Sequence, residues 1–205
     1  MLHIVDRTVP DFGDIVLRNM FEARKRVFVD LLGWDVPVLA GRFEVDQFDT
    51  PEATYLVVTG PDGGHRASAR LLPTLRPHLL NTVFADLCTD PVPRGAAIRE
   101  ISRFCLDRSL GARDRRIARD ELVSALARFG AASGITQYTG VAEPGWLDQI
   151  LAFGWRARRL GPAGAVSGVR LGALAIEIDA ATPALLARNG IRGTLPITGE
   201  VCDAA

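Results

Sequence analysis

Three arginines stand inside patterns that otherwise select apolar side chains. From Asp14 to Leu32, the residues Leu17, Phe21, Phe28 and Leu31 recur at the three- and four-residue spacing of an amphipathic helix, and the missing member of the stripe is Arg24. Arg70 lies within RASARLL (residues 66–72), and Arg103 shares AIREISRFCL (residues 97–106) with Glu100; both segments read as strands. An unpaired guanidinium taken out of water costs several kcal/mol, so any fold that buries these positions must bring carboxylates to them. Glu44, Asp46 and Asp49 crowd the segment in between, residues 35–53, which shows neither helix nor strand period and reads as an ordered loop. With Glu100, these make four acids that could satisfy the three arginines.

The remaining elements follow from local patterns. TYLVVTG and RASARLL flank the turn PDGG as a hairpin, closed by Pro73 and Pro77. Residues 78–95 read as loop with a short helix, and AIREISRFCL as the next strand. RDELVSALARFGAASG reads as a helix, ITQYTGVA as a strand, GWLDQILAFG as a helix, and WRARRLG and VRLGALAIEID as strands. ATPALLARNG reads as a last short helix, and the final dozen residues as a tail. This alternation predicts a single α/β domain over residues 1–205, with a mixed, twisted central sheet and helices packed on both faces.

Side chains on a regular strand alternate, so Glu100 and Arg103 would face opposite ways. A β-bulge between them would shift the parity and turn both inward, and one is predicted near residues 100–104.

Bulk properties narrow the class. Across 205 residues, 48% are hydrophobic and 23% charged, with a formal net charge of zero, so the chain can build a core and carries no overall field favouring nucleic acid or membrane. The apolar runs fall short of the ~20 residues of a membrane-spanning helix. Cys88, Cys105 and Cys202 show no metal-binding spacing and, without a signal-peptide pattern, read as reduced thiols of a cytoplasmic protein. His3, His65 and His78 fit no ligand spacing and read as exposed, and no metal site is predicted.

Residue types alone leave two readings of the charged set. It can be a structural ion-pair network pinning the long loop. It can also be a site for a zwitterion, acids holding an ammonium and arginines a carboxylate.

The order of motifs favours the second. Arg24-x-x-x-Phe28, Leu32-Gly33-Trp34, Glu44-x-Asp46-x-Phe48-Asp49, Tyr55-Leu56, Arg70-Leu71-Leu72-Pro73-Thr74 and Glu100-x-Ser102-Arg103-Phe104 together resemble the acyl-homoserine lactone synthases, the autoinducer synthases of bacterial quorum sensing. The resemblance runs from about residue 14 to 106, is weaker over 107–178 and stops before the tail. Many members of that family carry an aromatic residue where this chain has Arg99.

The resemblance implies a fold similar to the GNAT acyltransferases. It also implies a reaction in which the amine of S-adenosylmethionine attacks an acyl thioester, carried by coenzyme A or an acyl carrier protein. The methionine carboxylate then closes to a lactone and expels 5′-methylthioadenosine. S-adenosylmethionine is thus a consumed substrate, and no cofactor is implied. The amine must lose a proton, and Glu100 is the leading base with Asp46 second; Arg103 completes the catalytic set. A backbone N–H of the 100–106 strand can meet the developing oxyanion. Phe28 and Trp34 offer aromatic faces to the sulfonium and adenine, with Arg24, Glu44, Asp49 and Arg70 as the surrounding ion-pair network.

The acyl chain needs an apolar tunnel, for which Leu72, Phe84, Ser102, Phe104, Thr139 and Val141 are the expected walls, Thr139 meeting any 3-oxo group. Arg108, Arg113, Arg115 and Arg116, with Arg119, form a basic run suited to an anionic carrier or to coenzyme A phosphates. GNAT-like enzymes commonly place Arg-x-x-Gly-x-Gly/Ala there, and this chain departs at Arg113. The alternatives are a generic N-acyltransferase acting on another amine and a non-catalytic thioester-binding module.

Overall fold

The computed structural model describes residues 1–6 and 14–198. The chain divides into two compact units. One holds Met1–Arg70, Arg103–Leu122 and the described residues from Gly193 on; the other holds Leu71–Ser102 and Val123–Arg192.

In the first unit, helix α1 (Ile15–Arg24) starts where the Asp14 carboxylate accepts the Val16 and Leu17 N–H groups at 2.7 and 3.3 Å. The helix then continues in π form over Lys25–Leu31, with the Leu32 N–H reaching back five residues to the Val27 carbonyl. That wider turn breaks the predicted stripe. Phe28 stays buried while Leu31, expected inside, is 57% exposed. Gly33 ends the helix at φ +67°, a conformation that glycine adopts without cost.

The first unit's strands form a mixed sheet. Strand β1 (Leu2–Val5) runs antiparallel to β4 (Thr54–Thr59) and parallel to β11 (Ile197–Thr198), and β5 (His65–Pro73) returns from β4 as the predicted hairpin. Every residue of β4 is buried, and Tyr55 meets Phe21 of α1 edge to face at 5.9 Å. Burying one such ring stabilises by about 1.5–3 kcal/mol.

The segment read as irregular loop holds a small ladder, β2 (Val38–Leu39) against β3 (Phe43–Glu44), turned at Ala40 and Gly41 with φ of 51° and 65°. The end of the chain is another correction. Of the expected tail, residues 194–198 are tied down. The Glu121 carboxylate accepts the Thr194 and Leu195 N–H groups and the Thr194 hydroxyl, and β11 follows. Residues 199–205 of that tail, with Cys202, lie outside the described residues.

Strand β6 (Ile98–Leu106) belongs to the second unit as far as Ser102, and there it pairs parallel with β7 (Gln137–Ala142), Glu100 lying opposite Thr139. Strand β10 (Val169–Glu177) runs antiparallel to β7, β8 (Arg156–Arg159) and β9 (Gly164–Val166). Helix α2 (Leu79–Thr82) is a single turn; α4 (Pro144–Leu151) and α5 (Thr182–Arg188) match the predicted helices. Between β6 and β7 runs α3 (Ala112–Ala132), seven residues longer at its start than the sequence pattern suggested. Gly130 matters there: a Cβ would sit 2.9 Å from the Tyr138 hydroxyl, which donates to the Leu126 carbonyl.

Strand β6 breaks where predicted. Arg103 has φ +50°, and the buried positions change from Glu100 and Ser102 to Cys105 across it. The histidines were misread. His65 is buried with Nε2 2.9 Å from the Ser68 hydroxyl, and His78 is wholly buried ahead of α2. His3 is only partly exposed, its Nε2 3.0 Å from the Thr59 hydroxyl. No helix among the described residues is long and apolar enough to cross a membrane.

Candidate active site

Six of the predicted residues come together in the first unit as a closed ring of alternating charge. Arg24 donates through Nε to Glu44 at 2.5 Å and through both terminal nitrogens to Asp49 at 2.8 and 2.9 Å. Arg70 meets Asp46 at 2.6 and 3.1 Å and Asp49 at 2.8 Å. Arg103 closes the circuit on Glu44 at 2.8 Å and Asp46 at 2.8 Å. Each carboxylate is held by two guanidinium groups and each guanidinium by two carboxylates, so the set is neutral although almost wholly buried. The sequence brings this about with π-form turns after Arg24, a short β-ladder at Glu44 and a tight turn in which Asp46 accepts the Phe48 N–H.

Burial alone would raise the Asp49 carboxyl and lower the Arg24 guanidinium. The guanidinium groups of Arg24 and Arg70 outweigh it and hold Asp49 well below the usual carboxylate range, and Asp49 and Glu44 hold Arg24 high. Asp46 is likewise lowered, its burial overcome by Arg70 and Arg103. Tyr55 donates to Asp49 at 2.9 Å, and burial beside that carboxylate raises its phenol.

Phe28 and Trp34 stack at 4.7 Å with a 21° interplanar angle, and the Arg103 guanidinium lies 5.6 Å from each ring centroid. Trp34 is 37% exposed, so this aromatic pair reaches the surface from the ring's edge. Arg103 thus joins the ion ring to a surface able to take a cation on its faces.

Glu100 stands in the second unit. Its carboxylate is buried, and both oxygens accept the Leu80 N–H at 3.1 and 3.2 Å. Thr139, its neighbour across the β6–β7 ladder, is buried with a hydroxyl that has no hydrogen-bond partner among the described residues. Phe84 and Val141 pack in one apolar cluster with Leu80, Leu87, Leu160, Ala173 and Ala175. Leu160, Ala173 and Ala175 were missed in sequence; two alanines on a strand give no signal of their own. Leu72 is buried on β5 and Ser102 on β6, both in the second unit, whereas Phe104 lies half-buried in the first.

The basic run forms the start of α3 and the turn before it. Arg115 donates to the Leu110 carbonyl, while Arg116 and Arg119 pair with Asp120. Arg108 and Arg113 are exposed and have no partner among the described residues. Cys105 is buried beside Ala23, Val27 and Phe28, and burial pushes its thiol up to about 12, so it is inert packing.

Comparison with known proteins places this arrangement in a class. A structure of a putative N-acetyltransferase from Lactobacillus plantarum superposes with a TM-score of 0.58 over 86% of this chain and 98% of that one, at 16% identity, which establishes the N-acyltransferase fold. A CoA-dependent acyl-homoserine lactone synthase, BjaI, solved with SAM and isopentyl-CoA, superposes with a TM-score of 0.83 over 98% and 93% of the two chains at 26% identity. The acyl-homoserine-lactone synthase of Ralstonia nicotianae is 37% identical over 197 residues, 93% of either chain. The family model for autoinducer synthases matches residues 13–184. The chain belongs to the autoinducer synthase family and is an acyltransferase.

Proposed function

We propose that this enzyme makes an N-acyl-homoserine lactone quorum-sensing signal from S-adenosylmethionine and an acyl thioester. The observation that carries the assignment of roles is the contrast among four buried acids. Glu44, Asp46 and Asp49 are each bound by two guanidinium groups within the ion ring, whereas Glu100 lies outside that ring and accepts the Leu80 N–H. An acid lowered by two arginines is a poor proton acceptor at neutral pH, which sets Asp46 aside and leaves Glu100 as the base.

The Glu100 carboxylate takes a proton from the ammonium of S-adenosylmethionine, directly or through water, and the freed amine attacks the thioester carbonyl. The tetrahedral oxyanion is met by backbone N–H groups where β6 breaks at Arg103. As the amide forms, the carbon–sulfur bond of the thioester breaks, the thiolate leaves with the proton held by Glu100, and the second proton of the attacking nitrogen passes to that freed carboxylate and on to solvent. The methionine carboxylate then attacks the γ-carbon, the bond to the sulfonium breaks with its electron pair on sulfur, and 5′-methylthioadenosine departs. Phe28 and Trp34 supply the faces for the sulfonium and adenine. The ion ring fixes Arg103 against these two rings. Leu72, Phe84, Ser102, Phe104, Thr139 and Val141 remain the proposed acyl-chain contacts, and Arg108 and Arg113 the cations for the donor's phosphates or an acidic carrier surface.

The test is incubation with S-adenosylmethionine and a panel of acyl-CoA and acyl-carrier donors, with 5′-methylthioadenosine and acyl-homoserine lactone read by mass spectrometry. Both products are expected. An acylated amine without 5′-methylthioadenosine would instead support a generic N-acyltransferase. Glu100→Gln is expected to lose turnover by about 10²-fold or more while keeping its melting temperature. A folded Glu100→Gln protein with full turnover would overturn the base assignment.

A further inference from the structure

Next to Glu100 lies a small polar device that the reaction as described does not use. The Leu80 N–H that bridges the two Glu100 oxygens belongs to α2, a helix of one turn. One turn has too few internal bonds to hold itself, so its geometry depends on what is attached to it. Three bonds are attached. The His78 N–H donates to Asn81 Oδ1 at 2.8 Å, the Thr82 hydroxyl donates to the His78 carbonyl at 2.7 Å, and His78 Nδ1 stands 2.9 Å from the Arg76 carbonyl oxygen. A carbonyl oxygen can only accept, so Nδ1 carries the ring hydrogen and Nε2 keeps its lone pair. That Nε2 is buried and has no hydrogen-bond partner among the described residues.

We propose that His78 and Asn81 are positioning residues for Glu100: they lock the turn at Leu79–Thr82 so that the Leu80 N–H stays on the carboxylate and fixes its orientation. The inference rests on the reading of Glu100 as the base. A hydrogen bond from an N–H to a carboxylate oxygen favours the ionised form, which is the form able to accept a proton. His78 suits the lock as a neutral ring, because a protonated Nε2 would be a buried cation with no acceptor; burial accordingly lowers its pKa. Asn81 suits it as a short acceptor placed three residues after the N–H it binds.

The test compares Asn81→Leu, which removes the acceptor, with Asn81→Asp, which restores one. The Glu100 carboxyl is titrated by carbon-13 NMR in protein labelled at glutamate, its resonance assigned by its loss in Glu100→Gln. In Asn81→Leu the Glu100 titration is expected to move up by about half a pH unit or more, and kcat to fall about fivefold or more with the KM for S-adenosylmethionine within about twofold. In Asn81→Asp both return toward the parent values. An unmoved titration in a folded Asn81→Leu protein overturns the proposal. If Asn81→Leu does not fold, an amide-to-ester replacement at Leu80 removes the same N–H without touching a side chain, and its titration decides in the same way. Full turnover in Glu100→Gln removes the base reading itself; an inactive Glu100→Gln with an unmoved titration in Asn81→Leu removes only the positioning role.

Discussion

Arg24 shows how much one side chain can carry in this protein. It is the last residue of the regular part of α1, is almost wholly buried, and binds two carboxylates with three nitrogens. Arg24→Ala leaves Glu44 and Asp49 each short of a cation, and removing one partner from a buried pair costs about 3–5 kcal/mol. The expected result is a loss of that order in urea unfolding, with activity falling through the population of folded protein. Arg24→Lys is expected to recover only part of it, because an ammonium cannot match the bidentate contact with Asp49. These positions were legible in sequence because a guanidinium in an apolar stripe breaks a period and demands a partner. The histidines were not. His65 answers to Ser68 on its own strand and His78 to the Arg76 carbonyl, contacts that no spacing rule announces.

Among the elements, those with internal periodicity were readable and those defined by a distant partner were not. The β4–β5 hairpin and the helices α4 and α5 declare themselves locally. Strand β1 is four residues long and exists because β4 lies beside it, and β11 exists because of β1. The start of α3 was hidden for another reason: its first turns are exposed and rich in arginine, so they form helix without an apolar stripe. The break in β6 was legible because two opposite charges three positions apart cannot both face inward on a regular strand. The C-terminal segment supplies a prediction at this scale. Glu121 alone takes two backbone N–H groups and a hydroxyl from Thr194 and Leu195. Glu121→Ala is expected to speed proteolytic cutting near residues 192–196 several-fold, read by mass spectrometry of the fragments, while stability to urea falls by about 1–3 kcal/mol.

For the whole molecule, the buried titratable groups set how stability depends on pH. Burial lowers His65 to about 4 from an ordinary value near 6.5, with Asp107 and Arg26 as the charges acting on it. Between those values the unfolded chain binds more protons than the folded one, so stability is full above about 6.5 and falls as pH drops toward 4, by on the order of 3 kcal/mol. Asp46 and Asp49 are also lowered in the folded state, so their contribution is present above about 4 and is lost as pH falls further. Urea unfolding from pH 8 to 3 is expected to show a plateau and then two successive losses. His65→Gln is expected to shrink the first, to which the lowered His78 and His3 also contribute, and to leave the second. A neutral composition gave no hint of this behaviour, which comes from where a few groups are buried.

The alternation of the ion ring has an evolutionary consequence. Because each of the six members answers to two neighbours of the opposite sign, a change at any one strands a pair. Descendants of this chain can therefore drift at the residues proposed to meet the acyl chain one at a time, outside this circuit. The circuit of Arg24, Glu44, Arg103, Asp46, Arg70 and Asp49 must be inherited whole or rebuilt in concert.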